Sequence, residues 1–319
     1  MAEKIQLVAV VPENLQGVRV DQGAAQLFPD YSRSRLQGWL KTGELTLDGK
    51  ACKAREKLVL GQRLELDAEV EDQERWLAEA IDLDVVYEDE AIVVLNKPAG
   101  LVVHPAAGNP SGTLLNALLN HYPDIGSVPR AGIVHRLDKD TTGLMVVAKT
   151  LSAQNALVAQ LQAREVHREY EAIVFGTMTG GGTVNLPIGR HPKSRQKMAV
   201  AQLGGKEAIT HYRLIKRYQD HTHIRCMLET GRTHQIRVHM AHQHHPLIGD
   251  PLYAGRPKLP KGASPELIDM LRHFPRQALH ARRLSFIHPE THEEVHFETS
   301  LPDDFENLLT VLDQEEQGR

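Results

Sequence analysis

The sequence predicts an α+β protein in two parts, a small N-terminal module and a larger mixed body. Three observations carry that expectation. An acidic, proline-free stretch, DAEVEDQERWLAEAIDLD, separates two segments of different character. Ahead of it lies a compact helix-and-turn pattern. Behind it, apolar strand-like runs outnumber helical ones, without the regular alternation that builds βαβ units. The expected boundaries are 17–66 for the module, 67–82 for an acidic linker and 83–319 for the body.

In the module, YSRSRLQGWLKTGELTLDGK supplies Ser32, whose hydroxyl can satisfy an orphan N–H of a helix's first turn. Leu36, Trp39 and Leu40 then recur at helical spacing, and Gly43 can close the helix in the left-handed region. Asp48-Gly49 tolerates positive φ and marks a tight hairpin turn. Arg33 and Arg35 stand off the apolar stripe, so they are either solvated or turned toward phosphates. In the body, LDVVYEDEAIVVL (83–95) is two apolar runs around an acidic turn, a β-hairpin pattern. GLMVVAK (143–149) reads as a buried strand. Alanine and leucine at helical spacing predict a helix over 151–164, with Thr150 or Ser152 as its cap. YEAIVF (170–175) is again strand-like, and Ile224, Cys226 and Leu228 alternate with polar residues as in a half-buried strand. Residues 233–242 read as a helix.

Charge divides unevenly along the 319 residues. The formal net charge is −4, yet residues 91–289 hold 25 Lys/Arg against 12 Asp/Glu, while residues 66–90 hold eleven acids and one base. Residues 290–319 add ten acids and one base, and the 17–66 module is mildly basic. A basic body of this kind points to a polyanionic partner. No run of about 18 apolar residues suggests a membrane span, and the N-terminus lacks the pattern of a secretory signal. Cys52 and Cys226 are too few for a disulfide scaffold, so a reducing cytoplasm is expected.

Three constellations can carry chemistry. GIVHRLDKDTTGL (132–144) is too polar for an interior strand, and its flanking glycines permit a turn. Asp138 in such a turn, with strands on both sides, suits a nucleophile or general base. LETGRTHQIRVHMAHQHHPLIGD (228–250) gathers Arg232, Arg237 and five histidines. It lacks HExxH and any interleaved acid among the histidines, so basic side chains on a helix facing phosphate fit better than a metal. Arg168-Glu169-Tyr170-Glu171 is a charged start to a strand and offers one phenol.

Taken together, VVYEDEAIVVLNKPAGLVVHP, GIVHRLDKDTTGLMVVAKT, REYEAIVFG and LETGRTHQIRVHMAH occur in the order seen in RNA pseudouridine synthases of the RluA type, which the chain resembles from end to end. Residues 18–66 resemble an S4-type RNA-binding module. The resemblance implies an α+β pseudouridine synthase domain with a mixed, largely antiparallel sheet, preceded by a small S4-like domain. By motif position, Asp138 falls on the catalytic aspartate and Arg136 on the arginine that displaces the target base. Tyr170 falls on the tyrosine stacked against the flipped uracil, and Arg237 on the residue paired with the carboxylate. In the module, Arg33, Arg35 and Lys41 are the expected RNA contacts. The implied partner is 23S ribosomal RNA, at the helix 69 stem-loop, free or in an assembling large subunit. A monomer is expected. Isomerising uridine involves no redox change or phosphate transfer, so no metal or organic cofactor is demanded.

Two rivals come from other classes. Asp138-Lys139-Asp140-Thr141 spells the D-x-D-x-T string of aspartate-nucleophile phosphatases, which want an apolar strand before the first aspartate, a doubly wound parallel sheet and Mg²⁺. A non-catalytic RNA-binding or ribosome-assembly protein explains the charge map but leaves the context of Asp138 unexplained.

Overall fold

The computed structural model describes residues 3–28, 31, 33–70, 76–106, 108–194, 196–256 and 258–318; the expected cap Ser32 lies outside them. The chain forms two compact units, Met1–Trp76 and Leu77–Arg319. The first therefore begins well ahead of the expected start at 17. Its extra strand, β1 (Glu3–Val10), pairs along its whole length with β3 (Arg63–Val70), which also pairs with β2 (Leu45–Leu47) to give the antiparallel order β1-β3-β2. The expected linker is also too long at both ends, because β3 runs through 67–70 and Leu77 and Glu79 bond to the second unit.

Two helices, α1 (Val20–Leu27) and α2 (Arg33–Thr42), complete the first unit. Leu36, Trp39 and Leu40 are buried as their spacing demands, and Gly43 follows at φ 91°. The Asp48-Gly49 turn forms with paired Leu47–Lys50 backbone bonds, but the chain beyond it does not return as a hairpin strand. The partner of β2 is β3 instead, which begins only at Arg63.

One polar group sits inside this unit. Asp21 is 0% exposed, and its carboxylate accepts hydrogen bonds from Arg19, Arg33 and Gln37. Burial alone raises its pKa, but the bonds from Arg33, Arg19 and Gln37 outweigh it and bring it down to about 2. A folded value below the unfolded one stabilises the fold above about pH 4, and that contribution disappears as pH falls toward 2. The span is worth about 2 kcal/mol. Unfolding of wild type should steepen between pH 5 and 2, whereas Asp21→Asn should start less stable and lack that slope; parallel curves would assign the titration elsewhere.

The second unit is built on one nine-stranded sheet. Its strands are β4 (Val85–Glu88), β5 (Ile92–Lys97), β6 (Thr142–Ala148), β7 (His167–Phe175), β8 (Gly182–Asn185), β11 (Ile209–Arg217), β12 (His221–Leu228), β13 (Leu279–Ile287) and β14 (Glu294–Glu298). The order is β4-β5-β6-β13-β7-β12-β11-β8, with β14 on β13; only β6 and β13 run parallel. A separate ribbon pairs β9 (Ile188–Arg190) with β10 (Met198–Val200). This is the mixed, largely antiparallel sheet expected, and it is not the doubly wound sheet a phosphatase needs. Helices α3 (Leu114–His121), α4 (Leu151–Ala163), α5 (Gln235–His242), α6 (Pro265–His273) and α7 (Asp303–Gln317) accompany it.

Local chemistry accounts for the main elements. The β4–β5 turn is closed by Asp89, whose carboxylate accepts the N–H groups of Ala91 and Ile92. β5 and β6 are buried on both faces, so alternate residues feed two cores: Val93, Leu95, Met145 and Val147 one, Ile92, Val94, Leu144 and Val146 the other. Thr150 caps α4 by accepting from Ala153 N–H, as expected. On β12, Ile224 and Cys226 face the core, while Leu228 is half-buried. Gly143 lets β6 approach β13, because a Cβ there would lie 2.2 Å from Ala281 O.

Candidate active site

Asp138 stands just ahead of β6, where the chain makes a tight turn closed by Thr141 N–H donating to Asp138 O. No strand leads into it, contrary to expectation; residues 134–138 are irregular, with only a bridge from Ile133 to Val147 just before them. Side chains do the work of that missing strand. His135 Nε2 accepts Val146 N–H, tying the segment to β6. Buried Lys97 donates from Nζ to Lys139 O at 2.8 Å, and to Pro98 O and Leu101 O. Arg276 Nη1 reaches Asp140 O, and Gln277 Nε2 donates to Thr141 Oγ1. Arg276 is itself clamped by Asp304 of α7 through Nε and Nη2. Burial pushes Lys97 down to about 7, against the opposing pull of Asp140 and Asp138.

Arg237 comes from α5. The helix starts at Gln235, not 233, because His234 takes a left-handed conformation at its N-cap. The reading of this helix as a basic face toward phosphate is corrected by the structure: Arg237 is 4% exposed and His239 is 0% exposed. His239 is spent on Thr210 Oγ1 and Leu186 O. Arg237 bridges two carboxylates, donating from Nη1 to Asp138 Oδ2 at 2.9 Å and from Nε and Nη2 to Asp250 at 2.7 and 2.9 Å. Burial works against its charge, but Asp250 and Asp138 more than offset that and raise its pKa. Asp250 in turn accepts the N–H groups of Leu252 and Tyr253. Tyr253 lies under the guanidinium, 5.1 Å from its ring centroid, and its hydroxyl bonds His234 Nδ1.

Asp138, His234 and Arg237 line a cavity of about 590 Å³, within the size range of ligand sites, while Asp250 and Tyr253 hold Arg237 from outside that lining. Tyr170 enters from β7, 6% exposed, its phenol pKa raised by burial. Arg136 is exposed at the rim, with no ion-pair partner among the described residues. Thus Asp138, Arg136, Tyr170 and Arg237 meet in one cavity. Arg33, Arg35 and Lys41 belong to the other unit: Arg33 binds Asp21, Arg35 lies 4.8 Å from the Trp39 ring centroid, and Lys41 is exposed. The histidines of the 228–250 segment do not converge, and among the described residues no three His, Cys, Asp or Glu side chains form a metal-holding group. Sequence reasoning missed Asp250, Lys97 and Arg276. Lys97 and Arg276 act across 42 and 136 residues, and Asp250, thirteen residues after Arg237, stands at no helical or strand spacing that would signal the pair.

One carboxylate fixed beside a guanidinium, in an arginine-rich cavity with a buried phenol, is equipped for nucleophilic or acid–base chemistry on an anionic substrate. Residues 91–242 match the family described as RNA pseudouridylate synthase. A curated Pseudomonas aeruginosa protein, "Ribosomal large subunit pseudouridine synthase D", is 60% identical over 318 residues, covering 100% of this chain and 99% of that one. Its Escherichia coli K12 namesake is 56% identical over 98% of this chain and 96% of its own. Among solved structures, human RNA pseudouridylate synthase domain containing 4 superposes with a TM-score of 0.56 at 27% identity, covering 72% of this chain and 93% of that one. The chain belongs to the RNA pseudouridylate synthase family, whose members are isomerases.

Proposed function

We propose that the protein converts specific uridines of 23S ribosomal RNA, in the helix 69 stem-loop, to pseudouridine, acting in the cytoplasm as a monomer without metal or cofactor. The observation that carries this reading is the Asp138–Arg237 pair inside the cavity shared with Tyr170. The names of the full-length relatives support the ribosomal substrate. No helix among the described residues is long and apolar enough to cross a membrane.

The uridine leaves its stack at a cost of a few kcal/mol. Tyr170 offers a stacking face worth about 1–3 kcal/mol, and Arg136 fills the vacated space. Asp138 then attacks C1′, forming an ester bond that breaks again when C5 joins C1′, or removes a proton from C2′ and returns it at that step. The C1′–N1 bond breaks, the uracil turns, C5 joins C1′, the C5 proton leaves and N1 gains one. Atoms and electrons balance within the nucleoside. Incubating purified protein with 23S RNA and a helix 69 fragment, then mapping pseudouridine by chemical adducts, tests the assignment; RNA binding with no conversion would favour a non-catalytic RNA-binding protein.

The N-terminal unit serves as the S4-like module, with Arg33, Arg35 and Lys41 on phosphates. Because Arg33 also neutralises buried Asp21, the cleaner test is Arg35→Ala/Lys41→Ala. Removing one cation from a phosphate should flatten the log–log salt dependence of binding by roughly one unit. The double variant should raise KM at low salt and leave kcat unchanged, since such interactions are equal in ground and transition states. An unchanged salt slope would remove these side chains from the RNA footprint.

A further inference from the structure

We propose that Arg168 binds a backbone phosphate of the RNA, one of the two flanking the uridine that enters the cavity; this rests on the function proposed above. Arg168 lies two residues before Tyr170 on β7, so both side chains leave the same face of the strand and line the same cavity. It is only 7% exposed, yet among the described residues no carboxylate pairs with it, and its Nε has no hydrogen-bond partner. The carboxylates nearby are committed elsewhere. Asp138 is held by Arg237, and Glu229 by Arg164 and His211. Glu169, the neighbour on β7, faces Arg225 and Arg283. A buried cation without a counter-ion is costly, so the missing anion must come from what the cavity receives.

Gly231 supplies an independent observation. A Cβ at this position would lie 2.7 Å from Arg168 Nη1, so the loop after β12 dispenses with a side chain where the guanidinium passes. The need there is for room, since the Gly231 backbone is not left-handed. Uracil is neutral and supplies no charge, whereas each nucleotide brings a phosphodiester to which the planar guanidinium fork is matched. A base drawn into the cavity brings its own flanking phosphates to the mouth.

The test replaces, one at a time, the phosphates around the target uridine of a synthetic 23S fragment with neutral methylphosphonates. Wild type should lose on the order of 10–100-fold in kcat/KM and in affinity at one flanking position, the range for a hydrogen bond to a charged group. Arg168→Gln should show a similar loss on the unmodified RNA and less than about twofold further loss at that position; Arg168→Lys should fall between. Losses that multiply at every position would overturn the assignment and leave Arg168 a structural role. Thermal unfolding checks the fold. Should Arg168→Gln not fold, Gly231→Ala keeps the charge but displaces the guanidinium, and it should lose the same phosphate sensitivity. Equilibrium binding reads the cycle even where no uridine is converted, so failure of the reaction and failure of this phosphate interaction are separable.

Discussion

Replacing Asp138 with asparagine or alanine should abolish pseudouridine formation, a loss on the order of 10⁴-fold or more, with RNA affinity and Tm little changed. The reason is geometric. Asp138 is the carboxylate that Arg237 presents to the cavity, and the turn beneath it is held by backbone acceptors and by Lys97, Arg276 and Gln277 rather than by the Asp138 side chain. Asparagine keeps the shape and leaves Arg237 its bonds to Asp250. Single-turnover conversion of labelled RNA is the measurement. Appreciable turnover by either variant would end the catalytic role.

Asp250→Ala should be nearly as damaging, by another route. Asp250 is 2% exposed and, among the described residues, is the only carboxylate to hold Arg237 by two bonds. Without it the buried guanidinium keeps one of its three carboxylate bonds and the N–H groups of Leu252 and Tyr253 lose their acceptor, so the cost approaches the roughly 3–5 kcal/mol of breaking a buried pair. For a unit of this size that lowers Tm by about 10 °C. Below the new Tm, kcat should still fall by about 10²-fold, because a misplacement of about 1 Å in a reacting group costs that much. A folded Asp250→Ala enzyme with wild-type kcat would show that Arg237 orients Asp138 without support from behind.

The sequence made legible what is local. The turn closure at Asp138, the Thr150 cap and the Asp89 turn each rest on a bond within three residues, and the apolar run of the Tyr170 strand is contiguous. The site's supports were not legible, because their partners are remote: Lys97 meets Lys139, Arg276 meets Asp140, and Arg237 meets Asp138 across 99 residues. The resemblance paired Arg237 with Asp138, but periodicity alone put it on a basic surface. Arg33 shows the same limit. Its helix face looks free until Asp21, twelve residues earlier on α1, is found buried beneath it. The strand β1 carried no motif, and its place became visible only through its pairing with β3.

The clamp on Arg276 ties the site to a helix that lines no part of it. The guanidinium that steadies the Asp138 turn is itself steadied by Asp304 on α7. Every residue that lines the cavity precedes α7 in the chain, yet the turn beneath Asp138 takes one of its anchors from the Arg276 that this helix holds. That helix thus acts at a distance: Asp304→Ala should loosen the turn while leaving every cavity-lining side chain unchanged.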